Sequence, residues 1–154
     1  MSVIDKLKEL LGSNRAAESL SDDEVDMRVA VTVILITVAE ADMEFRLEEL
    51  EAIMQMLGKQ YHLDESQVTL LMNMAEESRG RVSDLWPFTT ALSRTMTPSQ
   101  KLELLVMVWQ VVFADGRLDP YEDQLLHRLQ HMISVNHSVL MEAKRMARDK
   151  MGMV

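Results

Sequence analysis

The chain has 154 residues, long enough to bury a core of its own, and its 47% hydrophobic and 27% charged residues give a globular balance and not a disordered one. A net charge of −9 opposes phosphate backbones and anionic surfaces, which argues against nucleic acid as a partner and favours cations or basic protein surfaces. Cysteine is absent, which excludes disulfides, thiolate metal sites and a Cys nucleophile, and five Gly, three Pro and fourteen Met favour helices over sheets.

Met1 to Leu11 places Val3, Ile4, Leu7, Leu10 and Leu11 on one helical face and ends at Gly12. Such a helix either packs on the domain or joins two copies in a homodimer; peripheral membrane contact is a third reading. Lys6 and Lys8 break any secretory pattern, and the longest apolar stretch, Val29 to Ala39, is eleven residues, too short to span a bilayer. A soluble, cytoplasmic protein is the expectation. Ser13 to Leu20 reads as a linker, so the N-terminal helix and linker occupy 1–20 and a single helical domain 21–150.

Ser21 and Glu24 form a capping box for a helix reaching about Ala41, apolar nearly all round from Val29 to Val38. Leu47, Leu50, Ile53, Met54 and Leu57 then recur at helical spacing, with Gly58 near the expected stop. Asp64 with Gln67 boxes the next start, which carries Val68, Leu71, Met72 and Ala75, and Glu76 to Arg81 reads as a charged connection. Asp84 and Pro87 open a further helix, with Trp86 and Trp109 both expected to pack. Thr97-Pro98-Ser99-Gln100 starts a second all-apolar run, Leu102 to Phe113. Asp119-Pro120 caps a helix with Tyr121, Leu125, Leu126, Leu129 and Ile133 as its stripe, and Asn136 caps the last, with Val139, Leu140, Ala143 and Met146 inward. No run alternates as a strand must. The fold class is all-α, a compact helical bundle.

The bundle reads as internally duplicated. Asp42 and Asp115, 73 residues apart, each follow an apolar run and precede a Glu by seven positions, Glu49 and Glu122. Alignment on the Asp pair sets Leu35 on Val108, Val38 on Val111 and Ile53 on Leu126, and after a one-residue gap Asp64 on Asn136. Two repeats, about 24–77 and 97–149, predict pseudo-two-fold symmetry about two buried central helices.

The run Val112-Phe-Ala-Asp-Gly116 through Glu122 resembles the tellurite-resistance TerB-like family, over roughly Glu24 to Arg148. The first copy departs from the pattern with Met43 in place of Gly. The resemblance implies an all-helical fold, acidic residues near the repeat axis, a divalent-cation site, and an association with tellurite resistance and stress response.

The chemistry of the corners has two readings. Asp42 and Asp115 sit where a helix ends, which disfavours a carboxylate, while Glu49 and Glu122 sit in the first turn of the next, which favours one. If the axis brings them together, four carboxylates need a cation, Arg partners or raised pKa values, and oxygen-only donors select Ca2+, Mg2+ or Mn2+. Without metal, Glu122 boxes with Asp119, Asp115 closes a turn before Gly116, and Arg46 and Arg117 neutralise their corners. An EF-hand is excluded, because Arg117 and Tyr121, or Arg46, fall where ligand oxygens are required. His127 and His131, four apart, lack the Glu of a zincin and read as surface or boundary residues. The methionines at 54, 56, 72, 74, 132, 141 and 146 read as core filler, with a groove for a partner helix as the alternative. With no nucleophile elbow or phosphate loop, no enzyme is expected. The expected function is a cation-binding module working through protein partners; a metal-free interaction domain is the alternative.

Overall fold

A helix that is apolar on every side has to be surrounded, and two stretches of this chain meet that condition. The computed structural model describes residues 22–40, 47–80, 85–114 and 120–153, with the backbone alone at 22–26 and 120–122. The N-terminal helix, the linker, and the proposed caps at Ser21, Asp84 and Asp119 lie outside the residues or side chains described. Among the described residues the elements are α1 (Asp22–Glu40), α2 (Leu47–Tyr61), α3 (Glu65–Gly80), α4 (Trp86–Thr95), α5 (Pro98–Ala114), α6 (Pro120–Met132) and α7 (His137–Lys150), with no strand.

The two apolar runs are α1 and α5, and they pack on each other at the centre of the bundle. Val31, Val33, Ile34 and Leu35 of α1, and Leu104, Leu105, Val108 and Val112 of α5, have no exposed surface. Four of the other five described helices cover them. α3 and α4 pack on α1, α7 packs on α5, α2 touches both central helices, and α6 closes against α4 and α7. The succession of buried, amphipathic and further helix occurs on either side of α4.

Polar groups inside this apolar centre are satisfied locally. Thr32, fully buried in α1, donates its hydroxyl to the Arg28 carbonyl at 2.8 Å, and Thr37 does the same to Val33 at 2.8 Å. Trp109, the largest buried side chain, donates its indole N–H to the Leu140 carbonyl at 2.9 Å, tying α5 to α7. It stacks on Phe113 with centroids 5.5 Å apart, and the Lys144 ammonium lies 5.2 Å from its ring centroid.

The sequence-predicted caps at Asp64 and Thr97 form as reciprocal boxes. The Gln67 N–H donates to Asp64 Oδ1 at 2.9 Å while the Asp64 N–H donates to Gln67 Oε1 at 2.8 Å. Thr97 and Gln100 repeat the arrangement at 2.9 and 3.2 Å ahead of Pro98. Asn136 holds the N-cap position of α7 with extended backbone, but its side chain makes no capping hydrogen bond.

Three sequence expectations are corrected, and a fourth, the stop near Gly58, is made more definite. α3 runs on to Gly80, so Glu76 to Gly80 is helix and not a connection. The stop expected near Gly58 falls three residues on, at Tyr61; a Cβ at Gly58 would stand 3.3 Å from the Leu63 carbonyl oxygen, so the glycine answers a close approach of the chain that follows the stop. Leu47 is 67% exposed, because it lies about 120° around α2 from the centre of the buried series Glu49, Ile53 and Leu57. Trp86 is 61% exposed, since α4 buries Leu92 and Thr89 and the Trp86 position is rotated about 100° from the centre of that face.

The stops of α2 and α6 share one construction. His62 and Ser134 adopt the left-handed conformation at φ 56° and 60°, and the next N–H reaches back, Leu63 to Gly58 at 2.9 Å and Val135 to Gln130 at 3.2 Å. A non-glycine residue pays a steric cost there that glycine does not. Ser134→Gly relieves that cost, about 1 kcal/mol, but removes the exposed hydrogen bond that the Ser134 hydroxyl accepts from Ser93 at 3.0 Å, so a small net rise of the urea midpoint at unchanged slope is expected. A lower midpoint would show that the side chain holds this stop.

Candidate functional site

The first acidic corner joins α1 to α2, and its two helix ends set the local electrostatics. The final turn of α1 presents unpaired carbonyls and a partial negative charge, while the first turn of α2 presents unpaired N–H groups and a partial positive one. Glu49 is the third residue of α2, and Glu122 is likewise the third of α6, so both stand in the first turn as their sequence positions require. Of the four predicted site residues, Glu49 is the one whose side chain is described. Asp42 and Asp115 lie outside the described residues, and Glu122 is placed by its backbone.

Glu49 is buried, with 5% of its surface exposed. It continues the Ile53 and Leu57 series at spacing four, so its carboxylate enters the bundle on the apolar face of α2. That spacing is a signal the sequence carried: a Glu in line with two fully buried aliphatic residues. Burying a carboxylate is costly unless hydrogen bonds or an opposite charge accompany it.

The end of α1 brings a second carboxylate to the same corner. Glu40 pairs with Arg79 from the last turn of α3, and Arg79 Nη1 lies 3.5 Å from Glu76 one turn earlier. The hydrogen bond to Glu40 holds the guanidinium more firmly protonated, partial burial opposes this, and the charges of Glu40 and Glu76 add to it. Both partners are about one-third exposed, so the pair adds little stability but does place a fixed cation at the α1 end. Periodicity offers no sign of it, because the partners are 39 residues apart.

Among the described residues no three His, Asp or Glu side chains gather as a metal-holding group. His127 and His131 do not act together: His131 is exposed, and His127 stacks instead on His137, centroids 5.4 Å apart and planes within 9°. His127 Nε2 lies 3.7 Å from Asp123, and His137 Nδ1 lies 3.3 Å from Gln130 Oε1.

The methionines divide between core and surface. Met72, Met74, Met96 and Met107 are buried, Met54, Met56 and Met146 are half-buried, and Met141 is 36% exposed. Met56, Met107 and Met146 share a groove of about 430 Å3 between α2, α5 and α7. One end of α2 beside it is fixed by a polar cluster: Gln60 Nε2 donates to Glu103 Oε2 at 3.0 Å, and the Arg28 guanidinium lies 4.5 Å above the Tyr61 ring.

A family described as Tellurite resistance protein TerB matches residues 28–145. The match takes in most of α1 through most of α7, and the chain belongs to the TerB family. That makes it a module of a tellurite-resistance-associated class. No curated protein and no solved structure matches the chain. No helix among the described residues is long and apolar enough to cross a membrane.

Burial pushes the Tyr61 hydroxyl up to about 12, Arg28 pulls it down, and Glu103 adds to the rise. In the unfolded chain the same phenol ionises near its ordinary value of 10. Between those values the native state holds a proton that the unfolded state has lost, so stability is intact below pH 10 and falls by roughly 2 kcal/mol as pH rises to 12. Phenolate absorbance in a Tyr121→Phe chain, where Tyr61 is the remaining tyrosine, checks the value. Titration of folded Tyr61 near pH 10 would refute it.

Proposed function

We propose that this TerB-family chain is a non-enzymatic module that binds a divalent cation at its acidic corners and acts through protein partners in tellurite resistance and stress response. The observation that carries the reading is the burial of Glu49, a carboxylate set into the apolar face of α2 seven positions after Asp42. Asp42, Glu49, Asp115 and Glu122 would supply the donors. They are all carboxylate oxygens, which suit a hard ion, Ca2+, Mg2+ or Mn2+, over a thiophilic one. A bound ion would offset the repulsion among these groups and join the end of one helix to the start of the next. Its role is structural and regulatory, because neither corner supplies a nucleophile.

A second reading is favoured by the Glu40–Arg79 pair. Arginine already serves as a counter-charge at the first corner, and a metal-free interaction domain could neutralise its acidic ends in that way throughout.

Thermal unfolding with millimolar Ca2+, Mg2+ or Mn2+ separates the two. Ion at about 100 times its Kd adds about 2.7 kcal/mol, a rise of several degrees in Tm for a chain of this size. The rise is expected to vanish in Asp42→Asn/Asp115→Asn. No shift at millimolar ion retires the cation reading, and an equal loss of stability with and without metal in that variant supports the structural one.

A further inference from the structure

The groove between α2, α5 and α7 plays no part in the cation reading, and its lining is half apolar and half polar. Val106 and Met107 form a buried floor, Met56 and Met146 stand half-buried as walls, and the exposed Lys59 and Lys150 rise at the rim. One carboxylate lines the groove, Glu103, and its Oε2 already accepts the Gln60 amide at 3.0 Å. Among the described residues neither lysine forms an ion pair. Each lysine lies in the last turn of its helix, where the dipole favours a cation. That accounts for the position of each along its own helix, and not for their standing over one groove. In a chain of 25 acidic and 16 basic residues, two ammonium groups beside one carboxylate reverse the prevailing sign of charge.

We infer that this groove is a binding site for a small amphiphilic anion, a single carboxylate carried on a short apolar chain. The volume of about 430 Å3 is that of a small-molecule site. The apolar chain lies on Val106 and Met107, between two methionines whose unbranched thioethers adapt to its shape. The carboxylate meets a lysine ammonium at the rim in a charge-assisted hydrogen bond, and the Gln110 amide on the same lining is a further donor. One negative charge is also what the lining balances, since two lysines less Glu103 leave a single positive charge. The net charge of −9 does not prevent this, because at physiological ionic strength charges beyond about 8 Å are largely screened and the rim lysines act at contact. A cation of the same shape would face two ammonium groups, and an anion without the chain would leave the floor unused.

The test titrates decanoate, below its micelle-forming concentration, into the full chain with methyl-labelled methionine, the Met56, Met107 and Met146 signals being assigned by Met→Leu variants. These three signals are expected to move to a common plateau while those of the core methionines Met72 and Met74 stay in place. Decanol, with the same chain and no charge, separates the lysines from the floor. In Lys59→Gln/Lys150→Gln, decanoate is expected to bind about tenfold more weakly, roughly threefold per lysine, while decanol keeps its affinity. Both lysines are exposed, so the substitutions leave the core intact. Groove signals that do not respond to decanoate overturn the inference. So does a decanoate affinity that survives the loss of both lysines, or a shift of the Met72 and Met74 signals as large as that in the groove, which would mark a general detergent effect. The titration contains no metal, so its outcome is independent of the cation reading.

Discussion

The contact between α1 and α5 is the constraint on which the rest of the structure depends. Both helices are apolar on nearly every side, so one partner cannot hide either of them. Each needs a full sheath, and the amphipathic helices supply it: α3 and α4 on α1, α7 on α5, and α2 across both. The sheath helices in turn have one apolar face each, so they gain little from existing apart from the centre. A single core results, and removing either central helix would leave the others with apolar faces and nothing to cover.

Such a centre tolerates polar atoms only where geometry pairs them. Thr32 and Thr37 return their hydroxyls to carbonyls one turn earlier, which lets β-branched polar residues sit in a buried helix. The Trp109 indole does more, because its donor reaches a carbonyl of another helix and so fixes where α7 sits along α5. Dispersion alone is weakly directional, and a buried donor that costs free energy when unpaired gives the pairing a register.

How much was legible in the sequence follows from the range of each interaction. The apolar runs Val29 to Val38 and Leu102 to Phe113 announce burial by themselves, and the boxes Asp64–Gln67 and Thr97–Gln100 are complete within four residues. Periodicity also placed Ile53, Leu57, Leu126 and Leu140 correctly. It failed where orientation or distant partners decide. Leu47 and Trp86 have the right chemistry for burial but stand off the covered face of their helices. Gly58 marked the neighbourhood of the stop and not its left-handed residue, since His62 and Ser134 take that conformation without being glycine. Arg79 reaches Glu40 through tertiary structure, and the stack of His127 on His137 joins α6 to α7 across a turn that periodicity does not see.

The acidic corner shows how a helix end can bias function without fixing it. At the start of α2 the unpaired N–H groups favour the Glu49 carboxylate, so its burial is less costly there than it would be in mid-helix. At the end of α1 the carbonyls oppose the Glu40 carboxylate, and that is where Arg79 is placed. The two carboxylates therefore differ in kind. Glu40 has its counter-charge at the rim, where solvent screens it and exchange is easy. Glu49 is withdrawn from solvent, so any charge it meets acts across a poorly screened medium. A cation drawn to this corner would gain most from Glu49 and least from Glu40, and for that reason the buried residue, and not the more visible ion pair, is where a metal-dependent change in stability would originate.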